Sequence, residues 1–445
     1  MKKSKKILIW FLAFITLLIL LPFFISMETY IKEAEKLAGE KLGVPVSIAS
    51  GRLMLLPSPR VVVNNISVGK HDELKVDNLI VIPSLGSLFS ATKVIDVEIG
   101  RPQVKQSALE LVSSLAGKQS DAGADSAMVS VRHVSVDELQ LDWPNIKLPV
   151  FNVEVNLADG NALNSAYIET VDVEVNANIT PDAKGHLIML KAKGWKLPLA
   201  TPVLIDRADI EMHLKGSRLD VPKLAVGLYG GEINGNLALS WAKNWQMDGK
   251  LKAADISVKE PSSLVSKSVY LSGNLAGDVR FSAQAQTAGK LMEHLQASFK
   301  FNVNNGVLHG LDLVKVASLL VKQGENGGET HFDEFSGLLN VTGKQYHLKD
   351  IKLSSGLLAA SGQVKVKPDK KLDGAVEVEL KRSVSLVAIP LDVSGTVSDP
   401  VVLPSKAALA GAVAGTAILG PGVGTSLGVK AGGAVDKIKG LFQSD

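Results

Sequence analysis

Long stretches of this 445-residue chain alternate apolar and polar residues with a period of two. That period belongs to β-strands with one apolar and one wet face. Phe151-Asn-Val153-Glu-Val155-Asn-Leu157 alternates cleanly, as does Val171-Asp-Val173-Glu-Val175-Asn-Ala177-Asn-Ile179. The pattern returns at Leu237 to Trp241, Phe299-Lys-Phe301-Asn-Val303, Val364 to Val366, Val376-Glu-Val378-Glu-Leu380 and Leu391 to Val393. Val61 to Val63, Leu79 to Ile82 and Val94 to Ile99 add strands nearer the N-terminus. Helical interruptions are few: 27–42, with Tyr30, Ala34, Leu37 and Lys41 along one side, then 107–115, 290–296, and 311–321 with Asp312 in its first turn. Residues 118–126 (KQSDAGADS) are polar and read as a linker.

So many one-sided strands with so few helices must have their apolar faces covered in one of two ways. Two sheets pack as a sandwich or close as a barrel, and every apolar face is core. Alternatively a long antiparallel sheet curls into an open gutter whose floor is covered by ligand, such as lipid acyl chains. Alternation fits both. The lining residues of such a floor would be Val153, Val155, Leu157, Val173, Val175, Phe301, Val303, Val376, Val378 and Leu380. Aromatics are 5% of the chain against 46% hydrophobic residues, so the lining is chiefly aliphatic.

The N-terminus sets the compartment. Lys2, Lys3, Lys5 and Lys6 precede an uncharged run from Ile7 to Met27, long enough as a helix to span a hydrocarbon core of roughly 30 Å. Ile7, Trp10, Phe14, Leu18 and Phe24 are its anchoring side chains, and the lysines favour a cytoplasmic start with the rest of the chain on the far side. No small-x-small cleavage site lies near Ser26, so an uncleaved anchor is expected rather than a signal peptide. At the other end, 407–429 is uncharged and rich in small residues, with Ala407, Gly411 and Gly415 spaced by four and Gly420-Pro421-Gly422 dividing it. This tail caps the sheet or touches a membrane or a partner. The segments expected are 1–27 (stub and anchor), 28–117 (N-terminal β module), 128–298 (middle sheet), 299–404 (C-terminal module) and 405–445 (Gly/Ala-rich tail).

Chemistry leaves no signature. The chain has no cysteine, its eight histidines form no HExxH, and neither GxSxG nor a P-loop is present, so no enzyme, cofactor or metal is expected. His331, beside Asp333 and Glu334, reads as a surface strand residue, and Trp241 and Trp245 read as core or sheet-edge aromatics. With 48 basic and 45 acidic residues, charge gives no reason to expect a nucleic-acid partner.

Several motifs follow one another in order: Asn305-Gly306-Val307-Leu308, Leu311-Asp312-Leu313, 330–337 (THFDEFSG), 353–362 (LSSGLLAASG), 390–400 (PLDVSGTVSDP) and the glycine-rich tail. Near the N-terminus stand Gly51-Arg52-Leu53 and 56–66 (LPSPRVVVNNI). The first set resembles the C-terminal module of the AsmA family of envelope proteins, and the second is similar to that family's first module. The resemblance implies an inner-membrane anchor, a periplasmic body, and kinship with bridge-like lipid-transfer proteins, in which a curved β-sheet offers a continuous hydrophobic groove. It implies phospholipid as the partner and a role in outer-membrane assembly and lipid homeostasis. This chain is shorter than the relatives that cross the periplasm, which suits a partial bridge, shuttle or accessory. The alternative expectation is a non-transporting assembly or scaffolding factor that engages an envelope protein through strand edges and the tail.

Overall fold

The computed structural model describes residues 27–87, 89–108, 129–144, 146–183, 185–198, 203–318, 327–381 and 388–419. The chain divides into two compact units, one through Val203 and one from Leu204. Strands make up 66% of the described residues. Among the described residues no helix is long and apolar enough to cross a membrane, and the expected anchor with Ile7, Trp10, Phe14, Leu18 and Phe24 lies outside them.

The first unit opens with helix α1 (Glu28–Leu42), ended by left-handed Gly43. Strands β1 (Val46–Met54), β2 (Arg60–Val68), β3 (Leu74–Pro83), β4 (Lys93–Gly100), β5 (Gln103–Lys105), β6 (Val129–Trp143), β7 (Ile146–Lys147), β8 (Phe151–Leu157), β9 (Leu163–Thr170), β10 (Val175–Asp182) and β11 (Gly185–Leu197) follow. Neighbours pair antiparallel except at one place. There β4 and β5, which together line up on β3, run parallel to β6. A parallel pair needs a crossover of a dozen or more residues. The stretch 106–128 provides it, so the expected linker 118–126 falls within this connection, outside the described residues. Arg132, the extra residue where the β4–β6 register slips, donates from Nε to Asp96 Oδ1 at 3.0 Å and from a second nitrogen to Oδ2, clamping the parallel junction.

The second unit is an antiparallel meander in chain order: β12 (Val203–Lys215), β13 (Arg218–Leu228), β14 (Gly231–Ser240), β15 (Trp245–Ser257), β16 (Tyr270–Ala285), β17 (Gln296–His309), β18 (Glu329–Thr342), β19 (Gln345–Ser354), β20 (Leu358–Val366), β21 (Leu372–Leu380), β22 (Ala388–Thr396) and β23 (Asp399–Pro404). Between them lie α2 (Lys259–Val265), α3 (Leu313–Ala317) and, at the end, α4 (Lys406–Leu419). The expected boundary at 298/299 falls inside β17.

The helices differ from their sequence expectation. Toward β1, α1 turns the side that carries Ile31 and Glu35, while Tyr30 and Leu37 of the expected apolar side are exposed. The expected 290–296 helix is a short 3₁₀ segment, Ala288–His294, because its apolar residues pack over strand ends. Leu291 sits there with Trp245, Met247, Ala283 and Ala285, and Trp241 stacks on Trp245 at 5.5 Å between ring centroids. The expected 311–321 helix has five helical residues, with Asp312 as the N-cap accepting from the Lys315 N–H. The expected 107–115 helix falls almost wholly outside the described residues.

Several strands share one backbone device. A residue with left-handed φ interrupts the alternation at Asn65, Arg101, Glu138, Asp255, Asn305 and Asp350. On either side the inward parity changes, from Val61 and Val63 to Ile66 and Val68 in β2, and from Leu251 and Ala253 to Ile256 and Val258 around the end of β15. β19 likewise passes from Leu348 to Ile351 and Leu353. The extra turn absorbs a one-residue phase slip and keeps apolar side chains on one face while the strand bends. Asn and Asp tolerate this conformation; β-branched residues do not. Asp350→Val should therefore lose about 1–2 kcal/mol in urea unfolding, whereas Asp350→Gly should stay within about 0.5 kcal/mol of the parent.

Candidate functional site

Following strand partners across each unit gives unbroken apolar rows. In the first unit, Leu53, Val61, Val81, Val97, Val134, Val155, Ala166, Ile179 and Ile188 are successive cross-strand partners. A second row beside it runs Gly51, Val63, Leu79, Ile99, Val136, Val153, Ile168, Ala177 and Leu190. In the second unit one row crosses every strand: Ile210, Leu224, Gly235, Leu251, Val279, Phe299, Leu339, Leu348, Val364, Gly374, Val393 and Val402. At about 4.8 Å per strand this row measures about 50 Å along the sheet. No position in any of these rows is polar or titratable. One residue along each strand, the side chains turn outward and become Glu98, Glu154, Lys250, Asp278, Arg280 and Lys300.

Exposure varies along the strands: the row through Leu251 is half-buried on every strand from β12 to β23, and the face becomes buried two to four residues away, where α3 and α4 lie on it. At the C-terminal end of the second unit it is closed core: Val303, Val378 and Leu391 are 1%, 0% and 0% exposed, packed with Leu313, Val316 and Ala317 of α3 and Ala408 and Ala412 of α4. α3 touches β18, β21 and β23. Five strand steps separate β18 from β23, about 24 Å on a flat sheet, so a helix about 8 Å long reaches both only if the sheet curls around it with its apolar side concave. Thr330 fixes α3 there by accepting from the Leu313 N–H at 2.8 Å and donating to the Leu311 carbonyl at 2.7 Å.

Among the described residues, no helix buries the row through Leu251 or the two rows of the first unit so completely, and α1 reaches the latter at Gly51 through Ile31. Every residue of these rows is half-buried except buried Ala166. Glycines inside the face receive aromatic rings from neighbouring positions. A Cβ on Gly249 would come within 2.5 Å of Phe281 Cζ, and one on Gly277 within 2.6 Å of Phe299 Cε2. The rings thus cover backbone that glycine leaves bare. A depression of about 1050 Å³ beside Gln246, Asp248, Gln284, His294 and Thr342 lies among polar strand ends and is separate from the apolar rows.

The expected lining residues sort accordingly. Val153 and Val155 stand in the rows of the first unit, and Leu157 is half-buried opposite Leu163 at the end of β8. Val175 is buried opposite Ala192. Phe301, Val303 and Val378 belong to the helix-capped core, with Val376 and Leu380 packed against it. Val173 is a correction: it is 60% exposed in the turn between β9 and β10, with φ 59. The alternation there is genuine, but Ile168 pairs with Ala177, which forces residues 171–174 into a tight turn. Its N–H donates to the Thr170 carbonyl at 2.7 Å, and the Thr170 hydroxyl accepts from the Val175 N–H. The Asp172 carboxylate is held below its ordinary range, first by the Thr170 hydroxyl and then by the Glu174 N–H.

Polar groups form cross-strand links. Ser272 Oγ is 3.0 Å from His309 Nε2, and His309 Nδ1 is 2.9 Å from Glu329 Oε1, on the outward side with Tyr270 stacked on the imidazole. The Ser272 hydroxyl also reaches the Val307 carbonyl, so this chain of contacts ties β16, β17 and β18 together. His331 is exposed and 3.7 Å from Glu329. Among the described residues, no group of three His, Asp or Glu side chains is arranged to hold a metal ion.

Sequence reading missed the continuity of the rows across strands. Its signal is the recurring one-residue slip at Asn, Asp or Glu before Ile, Leu or Gly, as in Asn65-Ile66, Glu138-Leu139, Asp255-Ile256, Asn305-Gly306 and Asp350-Ile351. Comparison with protein families matches residues 180–343 to the AsmA family. That span covers part of the alternating middle of the chain and the motifs at 305–308, 311–313 and 330–337, and stops before those at 353–362 and 390–400. No curated protein matches the chain.

Buried and half-buried positions of this face should respond differently to truncation. Leu391→Ala removes a fully buried side chain and should cost about 2–5 kcal/mol in urea unfolding, while Leu251→Ala, half-buried in the uncapped row, should cost roughly 1 kcal/mol.

Proposed function

We propose that this chain, which belongs to the AsmA family, is an inner-membrane anchored periplasmic protein that binds phospholipid acyl chains along its apolar β-face and passes them from strand to strand. The observation that carries the reading is the pair of unbroken, half-buried rows in the first unit and the row through Leu251 and Val279 in the second. A closed core would bury them as completely as Val378 and Leu391; an acyl chain laid across them would complete the burial.

The energetics suit transfer rather than tight capture. An acyl CH₂ leaving a bilayer for water loses about 0.8 kcal/mol, so a sixteen-carbon chain faces a barrier on the order of 10 kcal/mol. An apolar face that removes the same groups from water offsets most of that loss. Because one row position resembles the next, sliding by one strand exchanges equivalent contacts. Aliphatic lining gives no directional hydrogen bond that would arrest the lipid at one place. The role needs no catalytic residue or cofactor, and it places the protein in outer-membrane lipid supply.

Lipid mass spectrometry on the full chain, extracted from membranes and washed free of bulk lipid, tests this. The parent should retain phospholipid in at least stoichiometric amount. Leu251→Asp and Val279→Asp should retain several-fold less while still unfolding cooperatively in urea, with a midpoint lowered by at least the roughly 1 kcal/mol expected for Leu251→Ala. A folded parent that holds no lipid and takes up no added fluorescent phospholipid would contradict the reading and favour the assembly-factor alternative.

A further inference from the structure

The two ends of the first unit's sheet are chemically opposite. At one end the β2–β3 turn is Gly69-Lys70-His71-Asp72-Glu73, charged and wet. At the other, the β1–β2 and β3–β4 connections lie side by side, since Val61 pairs with Val81 and both strands run into their turns there. Residues 54–60 and 83–93 contain no acidic side chain, and Arg60 and Lys93 are their only charges. Four apolar side chains at this end point into solvent: Phe89 is 98% exposed, Leu85 60% and Leu56 43%, and Val129, paired with Lys93, is 47% exposed. A soluble surface rarely leaves a phenyl ring so bare.

The same end receives the chain from its N-terminal segment. Glu35 accepts from the Ile48 N–H at 2.7 Å, and Ile31 lies against Gly51, so α1 runs antiparallel to β1. Its first residue, Glu28, therefore points toward the end of β1, where Leu56 and Leu85 are. Directly before it in sequence is the uncharged run from Ile7 to Met27.

We propose that this end of the sheet docks on the lipid bilayer, with Phe89, Leu85 and Leu56 entering the headgroup and upper acyl region of the leaflet from which the N-terminal segment emerges. Arg60 and Lys93 face the anionic headgroups, and the exposed aromatic and aliphatic side chains replace solvent by lipid. Held so, the apolar rows that begin at Gly51 and Leu53 open beside the leaflet. This rests on the lipid-binding reading above for its purpose but on separate residues for its evidence.

The chain has no cysteine, so single labelling sites are clean. The full chain carrying Phe89→Cys or Lys70→Cys is labelled with an environment-sensitive fluorophore and reconstituted into phosphatidylethanolamine–phosphatidylglycerol vesicles containing brominated lipid. Retained phospholipid is measured on the same preparations. The probe at 89 should shift to the blue and be quenched by the brominated chains, while the probe at 70 should emit as in water. Equal water exposure at both sites overturns the docking, and so does equal quenching. If position 89 stays in water while phospholipid is retained, docking fails and the lipid reading stands; quenching at 89 without retained phospholipid upholds docking and removes its proposed purpose.

Discussion

Cross-strand apolar pairing is the interaction on which the rest of this structure depends. Each strand alone has one greasy face and no helix to hide it. Only when Val97 meets Val134, Val155 meets Ala166 and Leu251 meets Val279 does a continuous surface arise. Such pairs contribute a few tenths to about 1 kcal/mol each, and they fix register, because a one-residue slip would turn every apolar side chain outward. The left-handed residues at Asn65, Glu138, Asp255 and Asp350 are the places where the slip is used deliberately: the strand bends and the apolar face is kept.

How that face is finished differs along the chain. In the C-terminal part of the second unit, α3 and α4 fill the concavity with protein. Ala408 and Ala412 let α4 approach closely, one residue out of phase with the small-residue spacing at Ala407, Gly411 and Gly415. The family-like motifs there have structural work to do. Thr330 fastens α3, the Ser355 hydroxyl accepts from the Leu357 and Leu358 N–H groups, and Leu391 is completely buried. The rows themselves stay half-buried, including where the row through Leu251 crosses β17 to β23.

Much of this was legible in the sequence. Period two identified Val153 and Val155 in the first unit, and Phe301 and Val376 in the second, as residues of the apolar side of their own strands, because strand geometry makes alternation a direct readout of side. What escaped reading depends on partners rather than on local pattern. Val173 alternates as well as Val175 does, yet hairpin register puts it in a turn. The parallel junction of β4 and β5 with β6 is set by the crossover through 106–128, which carries no strand periodicity. Tyr30 and Leu37 made a plausible apolar helix side, but the sheet selected Ile31 through its contact with Gly51 and Glu35 through its bond to the Ile48 N–H. Closed core and open face share one alternating pattern, and only the position of α3 and α4 tells Val378 from Leu251.

Photo-crosslinking in living cells tests the central claim most directly, with a benzophenone amino acid placed at successive residues along one strand of the full chain. If the apolar rows carry lipid, crosslinks to phospholipid should alternate with strand parity, present at Leu251 and Val279 and absent at neighbouring Lys250 and Arg280. Lipid adducts without regard to parity, or none at any inward position while the outward ones capture protein, would contradict it.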